Sequence, residues 1–405
     1  MPSFSIPLSG LNADSTALNT IANNLSNMNT TAFKSQTTTF ADLFYQQLGA
    51  SGSGNPLLAG LGVRVNSTET NFTRGSINTD GNSAHMAING DGFFVVQANG
   101  QPQNLTRAGN FQVDQSGFLV TQDGEKVLGF TAAGASGSLT GLQIPVGGTN
   151  APQATGNVSL TTSLDASAAA GKSVVAPVTI YDSLGQSHQL SITFTKSATP
   201  NQWTYSVAIP AGDFTGAATG TTGTVTFDSA GNLTSPSSLA GIGFAGLADG
   251  AAALNLTLNF ADASGNPTLT QTVGTSATSS SQDGHPSGTY EGFTVDPSGV
   301  LSAVYSNGNV AKVGQVALAH VNNEQALARI GGNDYQVTAA SGQIQVGVAG
   351  SGGLGTLADQ SLEASNVDIS AEFSNLIVAQ RAFEANSKSI TTFDTVSQDT
   401  INMIR

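Results

Sequence analysis

"FSIPLSGLNADSTALNTIANNLSNM" (residues 4–28) sets Phe4, Leu11, Leu18 and Leu25 seven residues apart, with Leu8, Ile21 and Met28 beside them. A repeat of that length puts apolar side chains on one face of an α-helix. Chain ends ordinarily fray and carry polar residues, so an apolar stripe beginning at Phe4 needs something to cover it. The pattern predicts a helix from about Ser5 to Asn27, roughly 35 Å long at 1.5 Å per residue. Gly10 weakens its first turn. The run Asn27-Met28-Asn29-Thr30-Thr31 ends it, because Asn and Thr side chains compete for the hydrogen bonds of the helix.

The opposite end carries a counterpart. In "VDISAEFSNLIVAQRAFEANSKSITTFDTVSQDTINMIR" (367–405), Ile369, Leu376, Phe383 and Ile390 recur every seven residues, and Phe373 and Ile377 widen the stripe. It then drifts to Phe393, Val396, Met403 and Ile404. Asp368 or Ser370 is a plausible N-cap, with Glu372 in the first turn. A helix of about 36 residues would run roughly 54 Å.

Between the ends the pattern changes. Of 13 prolines, none lies between Pro7 and Pro56 and none follows Pro297, so both ends are free to be helical while the middle is punctuated. From "TAFKSQTTTFADLFYQQL" (31–48) to about Arg74 the sequence is neither periodic nor strongly β, and Ser51 to Gly54 reads as a loose loop. Beyond it, to about residue 350, alternation takes over: Leu254, Leu256, Leu258 and Phe260 are one clear case, and Leu190, Ile192 and Phe194 another. One short element recurs, as "VDQSGFL", "YDSLGQS", "FDSAGNL", "ADASGNP" and "VDPSGVL", whose aspartates are Asp114, Asp182, Asp228, Asp262 and Asp296. Asp first and Gly fourth suit a type I turn closing a hairpin. A calcium loop would need further oxygen ligands at alternate positions.

Composition narrows the function classes. Hydrophobic residues make up 39%, enough for real cores, and 405 residues suggest two or three domains. Charged residues are only 9%, against roughly 25% in ordinary globular proteins. Such a surface repels its own copies weakly. Net charge is −14 with 12 scattered basic residues, which argues against nucleic acid as a partner. No apolar run approaches the roughly 18 residues of a membrane span, and the N-terminus shows no charged secretory start. Cysteine is absent, so disulfides, thiolate metal sites and thiol catalysis are excluded.

Catalytic motifs are lacking too. His85, His188, His285 and His320 stand far apart and read as surface or loop residues. Gly350, Gly352 and Gly355 fit G-x-G-x-x-G, but without a β-α-β frame they read as a flexible linker. No enzyme, cofactor or metal is expected.

Amphipathic helices at both ends of a β-rich middle predict nested domains: the ends pair, the next segments form a second domain, and the centre is an insertion. The expected division is 1–33 with 364–405 as a helical core, 34–75 as an irregular connection, 76–150 with 285–363 as a β-rich middle, and 151–284 as an outer β-domain. The alternative is that the helices pack on β-domains of the same chain. The drift of the C-terminal stripe favours cover by neighbouring molecules, since one partner would leave apolar surface exposed.

Three segments resemble the signatures of bacterial flagellar rod and hook proteins: "ANNLSNMNTTAFKSQTTTFADLFYQQ" (22–47), "GDGFFVVQANGQPQNLTRAGNFQVDQSGFLVTQDGEKVLGF" (90–130) and "LEASNVDISAEFSNLIVAQRAFEANSKSI" (362–390). The segments "VTIYDSLGQSHQLSITF" and "GFTVDPSGVLSAVYSNGNVAKVGQVALAHVNNEQALARIG" are similar to the hook branch of that family. The resemblance implies a structural subunit of the hook, the curved tube between motor rod and filament, with inner helices, a β-rich middle layer and an outer β-domain. It implies polymerisation with itself and contact with the distal rod, hook cap and hook–filament junction proteins. It further implies export to the extracellular flagellum by the flagellar type III apparatus without a cleaved signal, and no membrane insertion. Residues expected at the self-assembly interface are Leu11, Leu18, Ile21, Leu25, Leu376, Ile377, Phe383 and Ile390. Asn23, Asn24 and Phe33 match the N-terminal signature and are expected to shape the turn out of the first helix. A distal rod protein is the nearer alternative, and an extracellular adhesin or surface-layer β-protein the more distant one.

Overall fold

A computed structural model describes residues 4–50, 56–131, 137–262, 264–274 and 278–403, and for 46–50 and 56–59 the backbone alone. The expected loop Ser51 to Gly54, and Ile404 of the C-terminal stripe, lie outside the described residues. Long helices occupy both ends, α1 (Ser5–Ser26) and α2 (Ile369–Met403), and strands make up most of what lies between. The Asp368 carboxylate caps α2 by accepting the N–H groups of Ser370 (2.8 Å) and Ala371 (3.2 Å), which is what an acidic N-cap does.

The chain divides into two compact units. One comprises residues 1–146, 292–303 and 311–405; the other comprises 147–291 and 304–310.

In the first unit the two helices share a body with an antiparallel sheet. Strand Phe93–Gln97 pairs with Gln103–Thr106 on one side and with Lys126–Phe130 on the other. Phe93, Val95, Leu105, Leu128, Ala319 and Tyr335 form its core. The expectation of an irregular segment over 34–75 fails here. Gln36–Asp42 pairs antiparallel with Val63–Thr70, and Tyr45–Ala50 with Pro56–Gly60. The first pair is stitched by hydroxyls: Thr39 Oγ1 meets Ser67 Oγ at 2.7 Å, and Thr38 Oγ1 meets Thr20 Oγ1 of α1 at 2.9 Å. Because Thr and Ser replace large apolar residues on the covered side, the strands leave no hydrophobic alternation in the sequence. Nor is Gly350–Gly355 a loose linker. Gly350 N–H donates to Gly355 O (2.9 Å) and Gly355 N–H to Asp91 O (2.8 Å), closing an ordered turn between strands Gln345–Val348 and Thr356–Asp359.

The second unit is a sandwich. A five-stranded sheet runs Ser173–Tyr181, Ser187–Lys196, Gln202–Ala208, Thr222–Phe227, Leu233–Ser235, antiparallel throughout. A six-stranded sheet centres on Leu254–Asn259 and Asn157–Asp165, which pair in parallel. Leu190, Ile192 and Phe194 from one sheet and Leu254, Leu256, Leu258 and Phe260 from the other fill a common core with Trp203. The alternation seen in the sequence is therefore the inner face of each sheet.

All five repeated Asp-x-x-Gly elements are four-residue turns closed by a Gly N–H to Asp carbonyl bond, with glycine in the left-handed region. Gly117, Gly185, Gly231, Gly265 and Gly299 have φ between +82° and +85°. Each Asp Oδ1 accepts the N–H groups two and four residues on, at 2.8 to 3.0 Å. The Asp supplies the acceptor and glycine the conformation that a Cβ would oppose. His188 departs from the expectation of surface or loop histidines. Its side chain is only 6% exposed, because Asp182 and Asp213 bond both ring nitrogens and make burial tolerable.

Candidate assembly interface

α1 and α2 lie antiparallel. Asn24, near the end of α1, donates from Nδ2 to Glu372 Oε1 in the first turn of α2 (2.9 Å). Midway, Asn386 Nδ2 donates to Asp14 Oδ2 (2.8 Å). Phe4 and Phe393 meet edge to face with centroids 6.1 Å apart. Gly10 is explained by this crossing: a Cβ there would fall 2.6 Å from Asn386 Nδ2 and 2.9 Å from its Cγ. The residue that weakens the helix locally leaves room for the Asn386 amide against α1.

Pairing the helices covers part of the apolar stripe and leaves part bare. Leu11, Leu18, Ile21, Leu25, Leu376, Phe383 and Ile390 are half-buried. Ile377 is 57% exposed, and its neighbour Val378, which the heptad reading passed over, is 69% exposed. Leu8 and Phe373 are exposed as well. An open groove of about 300 Å³ borders Val378, lined also by Ala17, Ile21, Phe40, Ala379 and Ala382 among others. α2 also outruns its partner. Beyond Phe393 it continues to Met403, about 15 Å further at 1.5 Å per residue, and presents Val396, Ile401 and Met403 to solvent.

The three residues assigned to the turn after α1 have distinct places. Asn24 is fully buried, and besides bonding Glu372 it brackets Gln36, accepting its N–H at Oδ1 (2.9 Å) and donating to its carbonyl (2.8 Å). It therefore fixes where the strand after the turn begins. Asn23 is exposed; its carbonyl accepts from Asn27 N–H and Nδ2 at 3.2 and 2.9 Å. Phe33 is buried beneath the Arg329 guanidinium, 5.2 Å from its ring centre.

Sequence reading missed the group that ties the helices to the sheet. Lys34 Nζ bonds Glu363 Oε1 at 2.6 Å and donates to Thr73 O at 3.0 Å; Gly75 N–H donates to the same carboxylate oxygen at 2.9 Å. Arg107 Nη1 stands 3.6 Å from Glu363 Oε2, an ion pair without a hydrogen bond. All three side chains are at most 4% exposed. Burial pulls the Lys34 ammonium below its ordinary value, and the Glu363 carboxylate opposes that pull. Asn366 completes the junction, accepting Ser35 N–H (2.8 Å) and donating to the carbonyls of Asn71 (2.7 Å) and Thr73 (2.9 Å). One signal was available: in a chain this poor in charge, a Lys beside Phe33 and a Glu just ahead of α2 both invite a partner.

The residues gathered on the helical face are thus apolar side chains and amides, held by a buried ion cluster.

Four family models match the chain in order. Residues 6–34 match "Flagella basal body rod protein", 87–165 "Flagellar hook protein FlgE/F/G D1 domain", 153–285 "Flagellar basal body protein FlaE D2 domain" and 358–403 "Flagellar basal body rod FlgEFG protein C-terminal". The flagellar hook protein FlgE of Treponema pallidum is 34% identical, with 98% of each chain covered. Its counterpart in Escherichia coli is 32% identical, with 99% of each covered. The crystal structure of the Helicobacter pylori flagellar hook protein FlgE2 superposes with a TM-score of 0.56 at 18% identity, over 71% of this chain and all of that one.

Proposed function

This chain belongs to the bacterial flagellar hook protein family and is a structural subunit of the hook; from that premise we propose that α1 and α2 together are the surface through which its copies polymerise. The observation carrying this is the apolar surface that the helix pair leaves uncovered, at Leu8, Phe373, Ile377 and Val378 and along the overrunning end of α2. Burying apolar area contributes about 25 cal/mol per Å², so a stripe repeated on every subunit gives each contact a favourable term. Directional polar bonds are not required for it. Leu11, Leu18, Ile21, Leu25, Leu376, Phe383 and Ile390 would hold the helix pair together, and Ile377 would face the neighbouring subunit. Asn23, Asn24 and Phe33 would set the angle at which the pair leaves the body.

In the assembled tube the helices would form the inner layer, the sheet of the first unit a middle layer, and residues 151–284 the outer one. Inner contacts would carry torque along the axis, while outer surfaces poor in charge slide as the tube bends. Further contacts would be with the distal rod, hook cap and junction proteins, and with the type III export apparatus on the way out. The near-complete coverage in both directions of hook relatives favours the hook over the distal rod position.

The test compares Leu376→Asp with Ile377→Asp in full-length protein under polymerising salt, by negative-stain electron microscopy. Ile377→Asp should abolish tubes and leave the monomer's helicity intact, whereas Leu376→Asp should lose both. Normal tubes from Ile377→Asp would remove this face from the assembly.

A further inference from the structure

The aspartate of one turn, Asp182, differs from two of its counterparts. In the turns at Asp228 and Asp262 the second carboxylate oxygen accepts an amide of the same turn, from Asn232 (3.2 Å) and Asn266 (3.0 Å). At Asp182 the residue in that place is Gln186, and only its backbone N–H bonds Asp182, at Oδ1. Its second oxygen, Oδ2, is hydrogen-bonded to His188 Nε2 (3.0 Å) and lies within 4.8 Å of a carboxylate oxygen of Asp249. One acid is thus turned toward another around an imidazole nitrogen.

We propose that Asp182, His188 and Asp249 bind a divalent transition cation, with Asp213 positioning the histidine. Their three ligand atoms all lie within 4.8 Å of one another. A cation held at roughly 2.0 to 2.2 Å from each spans at most about 4.4 Å between ligand atoms, so a small side-chain adjustment, open to the exposed Asp249, brings all three onto one ion. The other ring nitrogen, Nδ1, is 2.9 Å from Asp213 Oδ2. Nε2 is itself hydrogen-bonded to Asp182 Oδ2; a cation would take the place of that shared proton while Nδ1 donates to Asp213, the arrangement that usually supports a metal-bound imidazole. Asp182 is likewise preset, since Oδ1 accepts Leu184 N–H (2.8 Å) and Gln186 N–H (3.0 Å) while Oδ2 is turned to His188.

Charge leaves room for a cation. Asp182 is fully buried and His188 nearly so. Three carboxylates against at most one imidazolium leave excess negative charge, which a divalent cation would neutralise. One nitrogen and two carboxylate oxygens suit Zn²⁺ or Mn²⁺ better than Ca²⁺, which takes 6–8 oxygens. A bound ion would join the turn at Asp182 to the loop bearing Asp249, and through His188 to the loop bearing Asp213.

The test uses full-length protein stripped with EDTA. Zn²⁺ and Mn²⁺ are titrated calorimetrically, and the thermal transition of the second unit is followed by fluorescence of buried Trp203. One ion per chain and a raised transition are expected. Asp249 is exposed and Asp249→Asn keeps a side-chain oxygen to accept Ala251 N–H, so that variant should fold and bind about tenfold or more weakly; His188→Gln should lose binding altogether. Absence of stoichiometric binding in the folded native chain would overturn the proposal, leaving the cluster as an imidazolium between carboxylates. So would undiminished binding by folded Asp249→Asn.

Discussion

Asp334 shows how strongly a side chain here depends on neighbours remote in sequence. Burial, reinforced by the Glu125 carboxylate, pushes its pKa up to about 7. The folded chain therefore holds this proton more tightly than the unfolded chain, whose Asp titrates near 3.9. Stability from the protonated form is complete below about pH 4 and is lost as pH rises toward about 7. Asp334→Asn, which keeps the neutral shape, should remove that dependence. Melting both proteins from about pH 4.5 to about pH 8, the native chain should lose ground to the variant as pH rises. A difference in Tm that stays constant would show that Asp334 is ionised throughout. Side chains like this one and Lys34 were not legible in the sequence, because their partners stand about 200 and about 330 positions away. The turn aspartates were legible, because each bonds backbone only two and four residues on.

The two helices were readable from periodicity alone, and their observed limits fall close to the predicted ones. Capping by Asp368 sharpens one boundary. Asp368→Ala should cost about 1 kcal/mol of local helix stability, seen as a lower transition in far-UV helical signal and earlier exchange of the Ser370 and Ala371 amides. Unchanged exchange would mean that packing against α1 alone fixes the start of α2. What the pattern could not give was the asymmetry of the pair. Both stripes look like helix–helix contacts, yet Leu376 and Ile377, adjacent in sequence, end half-buried and exposed respectively. The strands of 36–70 escaped for the opposite reason: their covered faces are hydroxyl-bearing, and hydrophobic alternation is blind to Thr packed on Thr.

The two units give separate readouts, since the one tryptophan, Trp203, sits in the core of the second while both helices belong to the first. Lys34→Ala strands the Glu363 carboxylate in a dry junction, a loss of about 3 kcal/mol. The helical transition should therefore fall in temperature while the Trp203 transition stays in place. If both move together, the units unfold as one and the division has no energetic meaning. Local and periodic features were determined by the sequence by itself: terminal helices, sandwich strands with their inward faces, and five Asp-x-x-Gly turns. Each follows from the spacing of residues within a turn of helix or across a strand. Tertiary structure alone decided which apolar residues stay bare, that residues 34–75 form strands, and that Lys34, Arg107 and Glu363 share one buried cluster. It alone brought Asp182, His188 and Asp249 together. Burial and charge pairing depend on distance in space, and the chain brings these groups together only after its local elements have formed and packed.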